Sequence, residues 1–405
     1  MKNRVKQAVP VFVIALAVRV VSAAVTTVTT LNPDSTADAV GFGNNAGAIA
    51  RGILEGDPYL YVNGSVGLAQ FLFPFASSDI YSVWGTFLAP FWLLPGPSGF
   101  YARLGNAFLG AFAIYNVYLI ARHYHSHHAG VVASVPMIFY PSFVAVHSTL
   151  LREAIVLFGI TTAVRLLILP RRRHSKWPFY ALAAGLIHIA LLLRTDNVVI
   201  YFAAISAAIT VHLIKSGSVS KQAVGFGLAL SPVVFLLSLP LVRDGIAFLA
   251  RTRTLRARGR AVYLPEVVPR TIVELVAFSW VGAAYFLYTP FPWMVETIPD
   301  LLVGVEGLVN IVFTVAAVCG VRSLDRKHQY AIVGLLVGLA VAIVLYGVGT
   351  VNYGTGIRHR QMFIWVIFLF GGIGISEHVR FVWPFHREKD TGKRPSTRSA
   401  QSGSD

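Results

Sequence analysis

The sequence predicts an all-α, polytopic integral membrane protein, and three observations carry the prediction. Hydrophobic residues fill 55% of the 405 positions and charged residues only 13%. The apolar residues gather into runs of about 16 to 22, the length at which a helix crosses the hydrocarbon core of a bilayer. Within those runs the pattern is continuous rather than alternating, and a chain in lipid must satisfy its own backbone hydrogen bonds, so helices are expected and a barrel is not. The reading is of about ten or eleven transmembrane helices in one domain, residues 1–380, with a charged, Ser-rich, disordered cytoplasmic tail at 381–405.

Taken in order, the first run extends from Ala8 to Thr29 behind Lys2, Arg4 and Lys6. A basic leader of this kind resembles a signal peptide, but the length of the run and the arginine inside it, Arg19, favour an uncleaved first span. An arginine within a span is expected to face the protein interior or a wet cavity. With the basic N-terminus inside, residues 30–102 emerge on the outer side. Their Pro, Gly and aromatic residues predict amphipathic helices that are interfacial or re-entrant. Residues 103–121 then run inward to "RHYHSHH", 129–147 run outward, and 151–169 return to "PRRRHSK". The segment 178–214 is apolar except for "RTDN" and reads either as a hairpin of two spans or as one kinked span. The hairpin puts the arginine-rich loop 243–271 outside and inverts the C-terminus; the kinked span keeps every basic loop inside. Runs at 222–242, 272–289, 300–321, 329–349 and 358–376 complete the set, with "NYGTGIRHR" at 352–360 outside.

A formal net charge of +16 would suit a nucleic-acid partner, but the Lys and Arg residues sit in short loops between spans, where they set topology, so no nucleic acid is expected. Cys319 is the only cysteine and lies in an apolar run, which excludes an intrachain disulfide, a CxxC pair or a cysteine-based zinc site. His123, His125, His127 and His128 could bind metal, although a solvated inner loop is the simpler reading. No cofactor is expected; a divalent cation is possible but not predicted, because one lone Asp is a poor cation site.

The stretch "NPDSTADAVGFGNNAGAIARGILEGDPY", residues 32–59, carries acids into an otherwise apolar chain. Phe42, Ala46, Ile49 and Ile53 recur at helical steps on one face, and Asp38 lies one turn before Phe42 on the same face. Asp34 reads as a helix cap. An acid on a packing face is unusual, and this singles out Asp38. Charge bias alone places Asp38, His147, Arg152, Glu153, Arg358, His359 and Arg360 at the same membrane surface, joined by Arg194 and Asp196 if 178–214 is a hairpin. Polar groups at the outer ends of spans describe a cavity at the water interface. Each has a plainer reading: Arg152 with Glu153 as a structural ion pair, Arg358 and His359 as interfacial anchors.

An arginine in the first span, then an outer-face Asp38 with an aromatic, Phe42, four residues on and "AxxIAxG" at Ala46, Ile49, Ala50 and Gly52, resembles the first external loop of GT-C membrane glycosyltransferases of the protein O-mannosyltransferase and lipid A aminoarabinose transferase type. "YARLGNAFLGAFAIYNVYLIARHY" resembles that family's second span, "YPSFVAVHSTLLREA" its Pro-then-Glu turn and "LLLRTDN" its Arg-ended fifth helix; "TPFPW" and "NYGTGIRHR" are similar to C-terminal segments of some bacterial members. Ala39 stands where many relatives carry a second acid, and Phe42 where they carry Tyr. The resemblance implies transfer of a sugar from a polyprenyl-phosphate donor to a hydroxyl of an acceptor protein, lipid or polysaccharide, at the extracytoplasmic side of the cell membrane. It implies Asp38 as general base, and arginines as stabilisers of the departing phosphate: Arg358 and Arg360, then Arg194 and Arg152. Glu153, Asp196 and His359 would complete the substrate-binding set. The competing readings are a lipid-linked saccharide transporter or flippase, which also needs intramembrane arginines, and a non-catalytic cell-envelope assembly protein.

Overall fold

The computed structural model describes residues 2–29, 37–56, 80–168, 177–218, 240, 243–325 and 329–379. The Asp34 cap, the first half of the aromatic segment 57–102, the "PRRRHSK" loop, the 222–242 run and the 381–405 tail lie wholly or largely outside them. Among the described residues, fifteen α-helices carry the fold. They are α1 (Lys2–Val28), α2 (Ala37–Glu55), α3 (Ile80–Trp92), α4 (Ser98–Tyr124), α5 (His127–Phe139), α6 (Pro141–His147), α7 (Glu153–Ile168), α8 (Trp177–Leu193) and α9 (Val198–Lys215). After α10 (residues 243–256) come α11 (Ile272–Tyr288), α12 (Ile298–Ser323), α13 (Gln329–Gly349), α14 (Tyr353–Arg360) and α15 (Trp365–His378). Among the described residues five helices are long and apolar enough to cross a membrane, or seven if the bent pairs α5–α6 and α14–α15 each count as one span. The chain is an all-α, multi-pass membrane protein.

Pro141 explains the first bend. It has no N–H to give the carbonyl of Met137 four residues back, and α5 and α6 meet at 69°. The freed groups are satisfied from other helices. Arg19, fully buried in α1, donates to the Met137 carbonyl at 2.7 Å and to its own Ala15 at 3.1 Å. The Ser142 amide donates to Glu306 of α12 at 2.8 Å. The expectation that Arg19 faces the interior is met, and its work there is to close a broken helix.

Elsewhere glycine lets backbones touch. A Cβ added at Gly282 of α11 would lie 2.6 Å from the Gly347 carbonyl of α13, and one at Gly374 of α15 would collide with the Ala316 carbonyl of α12.

Contacts at the helix ends fix the order of the layers. α13 runs antiparallel to α9, Gly334 facing Ala204 and Ala208 and Gly338 facing Ala204. The segment 178–214 is two helices meeting at Arg194–Asn197, and they reverse direction there: α8 ends with Arg194 beside Glu153 at the start of α7, and α9 runs back until Ala208 lines a groove with Leu167 and Ile168 at the end of α7. The loop 243–271 sits at that same end: buried Arg253 donates to the carbonyls of Val348 (3.1 Å), Thr350 (2.9 Å), Leu264 (2.9 Å) and Val267 (2.6 Å). Yet the C-terminus does not invert. Arg253 holds Val267 just before α11, the far end of α11 meets Asn310 partway along α12, and the chain then returns to Asp300, which pairs with Arg260 and Tyr353 beside that same loop, so the 272–289 run does not cross. His125 meets Glu377 at 2.8 Å at the opposite end, which keeps the C-terminus of α15 beside the loop after α4.

Candidate functional site

Asp38 stands in the first turn of α2. Phe42, Ala46 and Ile49 are buried as the periodicity predicts, but Ile53 is 44% exposed, so the packing stripe ends a turn early. Asp38 itself is at the rim of that stripe, with a side chain 42% exposed. One carboxylate oxygen accepts from Arg358 Nη1 at 2.8 Å and the other from Tyr81 OH at 3.0 Å. Tyr81 comes from α3, and its ring lies 5.0 Å from that of Phe42.

The turn 148–152 carries the second acid. Asn106 of α4 donates to the carbonyls of Thr149 (2.6 Å) and Leu151 (2.8 Å), and Trp84 of α3 to Leu150 (2.7 Å). This fixes Glu153 as the first residue of α7, at the positive end of the helix dipole. Glu153 is fully buried, and one of its oxygens accepts from Arg194 at the end of α8 and from Arg358 Nε and Nη2, both at 3.3 Å. Its other oxygen is buried and has no hydrogen-bond partner among the described residues. Arg194 also meets His359 Nε2 at 3.1 Å, and the His359 ring packs 4.5 Å from Tyr346. The Tyr346 hydroxyl donates to Asp196 at 2.7 Å and Asn197 at 2.6 Å. Asn352 places Arg358 by capping α14, its side chain accepting from the amides of Gly354 and Thr355.

One cation is left over. Arg152 lies with its guanidinium 5.9 Å from the Phe42 ring, and among the described residues it has no hydrogen-bond acceptor. Its Nε, one Glu153 oxygen, Arg194 Nε and His359 Nδ1 are all buried without a hydrogen-bond partner among the described residues. Burial pushes the Asp38 carboxyl up, but the hydrogen bond and charge of Arg358, the Tyr81 hydrogen bond and the charge of Arg152 outweigh it and hold the group below the usual carboxylate value. Tyr81 moves the other way, raised by burial and by Asp38. The cluster thus offers a half-exposed carboxylate able to take a proton and an unpaired guanidinium able to take an anion.

The structure brings together Asp38, Arg152, Glu153, Arg194, Asp196, Arg358 and His359. It turns Arg360 away: buried Arg360 donates through Nη1 to the carbonyls of Leu287 (2.8 Å), Thr289 (3.1 Å) and Phe286 (3.4 Å), which makes it a tie between α14 and α11. His147 is buried against Phe143, and among the described residues its ring nitrogens have no hydrogen-bond partner. At the opposite end His125 meets Glu377 and His127 meets Tyr118, and among the described residues no three His, Cys, Asp or Glu side chains are grouped to hold a metal. Tyr81, Tyr346 and Asn197 were not singled out by the sequence. Tyr81 is one aromatic among many in 57–102, and no spacing marks it. Compared with protein-family models, curated proteins and solved structures, the chain matches none.

Proposed function

We propose that the protein is an inverting membrane glycosyltransferase of GT-C type, which moves a sugar from a polyprenyl-phosphate donor to an acceptor hydroxyl at the extracytoplasmic face of the cell membrane. The observation that carries this reading is the pairing of a half-exposed carboxylate, Asp38, with one shared and one unpaired guanidinium, Arg358 and Arg152, at one end of a membrane bundle. An apolar groove of about 180 Å³ supports it. Its walls include Ile200, Tyr201, Gly338, Phe363 and Trp365, and it runs down α9 and α13 from just below the Tyr346–Asn197 pair. A lipid tail would lie there with its phosphate at the cluster.

In the proposed step the acceptor oxygen attacks the anomeric carbon as the bond from that carbon to the phosphate oxygen breaks. Asp38 takes the hydroxyl proton. The polyprenyl phosphate leaves with its negative charge, which Arg152 and Arg358 neutralise; Glu153 and Arg194 hold Arg358 in position. Because the leaving group is a stabilised anion, a weakly basic carboxylate is sufficient.

The test is purified protein in lipid with a panel of polyprenyl-phosphate sugars, following release of polyprenyl phosphate. Asp38→Asn should lower the rate by about 100-fold or more. Equal activity of the variant overturns the role of Asp38. No release from any donor, while a lipid-linked sugar crosses the vesicle bilayer, replaces the enzyme with the transporter.

A further inference from the structure

A second surface at the Asp38 end does not belong to this cluster. α10 packs through Ile246, Leu249 and Arg253: Ile246 is 3% and Arg253 1% exposed, and Leu249 lies against Gly349 at the end of α13. The opposite face carries Phe248 (69% exposed) and Leu255 (56% exposed), with Arg251 between them at helical spacing. Arg243 and Arg256 flank that face and Arg258 follows it, all exposed. Arg251, Arg256 and Arg258 have no ion pair among the described residues. Residues 243–271 hold seven arginines against two acids, Asp244 and Glu266. Large apolar side chains and arginines on the outer face of a helix at the level where neighbouring spans end fit the boundary between headgroups and acyl chains.

We propose that the Phe248–Arg251–Leu255 face of α10 lies in the bilayer interface and binds the phosphates of anionic phospholipids, with Arg251, Arg256 and Arg258 as the cations. Anionic headgroups attract basic segments held at the surface, and the arginines bring bidentate geometry to a phosphodiester. The loop is also joined to the catalytic cluster. Tyr263 N donates to the Val351 carbonyl at 2.8 Å and Tyr353 N to that of Ala261 at 2.9 Å. Asn352, which caps the helix bearing Arg358, donates to the Arg258 carbonyl at 3.2 Å. A lipid held at Arg258 is therefore one backbone pairing away from α14.

Two measurements test this without a transfer assay. With Cys319 replaced by Ser, a nitroxide at Phe248→Cys in vesicles containing phosphatidylglycerol should collide more with oxygen than with a water-soluble nickel complex. In native mass spectrometry from such vesicles, the Arg251→Gln/Arg256→Gln/Arg258→Gln variant should retain phosphatidylglycerol about tenfold less than wild type, and the corresponding triple Lys variant should retain most of it. A nitroxide as open to nickel as one in a hydrated loop overturns the proposal. So does equal retention by the Gln variant, or retention that is insensitive to whether the vesicle lipid is phosphatidylglycerol or phosphatidylcholine.

Discussion

Arg358 cannot serve two anions equally, and this governs the chemistry of Asp38. Arg358 donates to both Asp38 and Glu153, and burial of Asp38 is outweighed by Arg358, Tyr81 and Arg152, so its carboxyl is lowered. A lowered carboxyl is ionised at every pH above the ordinary carboxylate value, and its pairing is lost as pH falls through the lowered one. Transfer should therefore decline only below the usual carboxylate range. Arg358→Gln removes the largest lowering influence and Tyr81→Phe a smaller one, so the acid limb of kcat/KM should move to higher pH in both, further in Arg358→Gln. An acid limb unchanged in either variant would remove Asp38 as the titrating base. Arg152, with no hydrogen-bond acceptor to lose among the described residues, offers the cleaner test of anion binding: Arg152→Gln should raise the donor KM about tenfold or more, with stability in detergent nearly unchanged.

Helix breaks, more than helix lengths, decide where these side chains stand. Pro141 was visible in the sequence, but the group that satisfies the carbonyl it frees lies 118 residues away in α1, and no local pattern reports such a pairing. Arg19→Leu should leave the Met137 carbonyl unpaired in the protein interior and cost about 1 to 3 kcal/mol, read as a fall in the thermal midpoint in detergent. Gly374 tests the closest packing. A Val there meets the Ala316 carbonyl of α12 and should cost about 2 kcal/mol, whereas a Val at Gly185 of α8, which has nothing within 4 Å, should be nearly neutral. Periodicity made the buried side of α2 legible at Phe42, Ala46 and Ile49, yet not its end at Ile53, because a moment along a helix does not say where the partner surface stops.

At the scale of the molecule, counting charges brought most of the cluster to one surface but left 178–214 undecided, since the count treated every apolar run as a crossing. α11 breaks that assumption: the chain before it is tied to the Asp38 end by Arg253, and the chain after it returns there through Asp300, which pairs with Arg260 and Tyr353. With that run removed, two helices at 177–215 and a C-terminus beside His125 are compatible, and the arginine-rich loop shares an end of the bundle with Asp38. This arrangement makes a definite prediction for a chain in which Cys319 is replaced by Ser. Single cysteines at Asn44 and Arg258 should react in intact cells with a maleimide that cannot cross the membrane, and cysteines at His128 and Ser218 should react only after permeabilisation. Ser218→Cys labelled together with Asn44→Cys would mean that α9 does not cross. Arg258→Cys protected while Asn44→Cys is labelled would detach the loop from the Asp38 end. The full inversion, with Asn44 and Arg258 protected and His128 and Ser218 labelled, would leave the fold intact but turn Asp38 toward the cytoplasm, and transfer at the extracytoplasmic face would then be excluded.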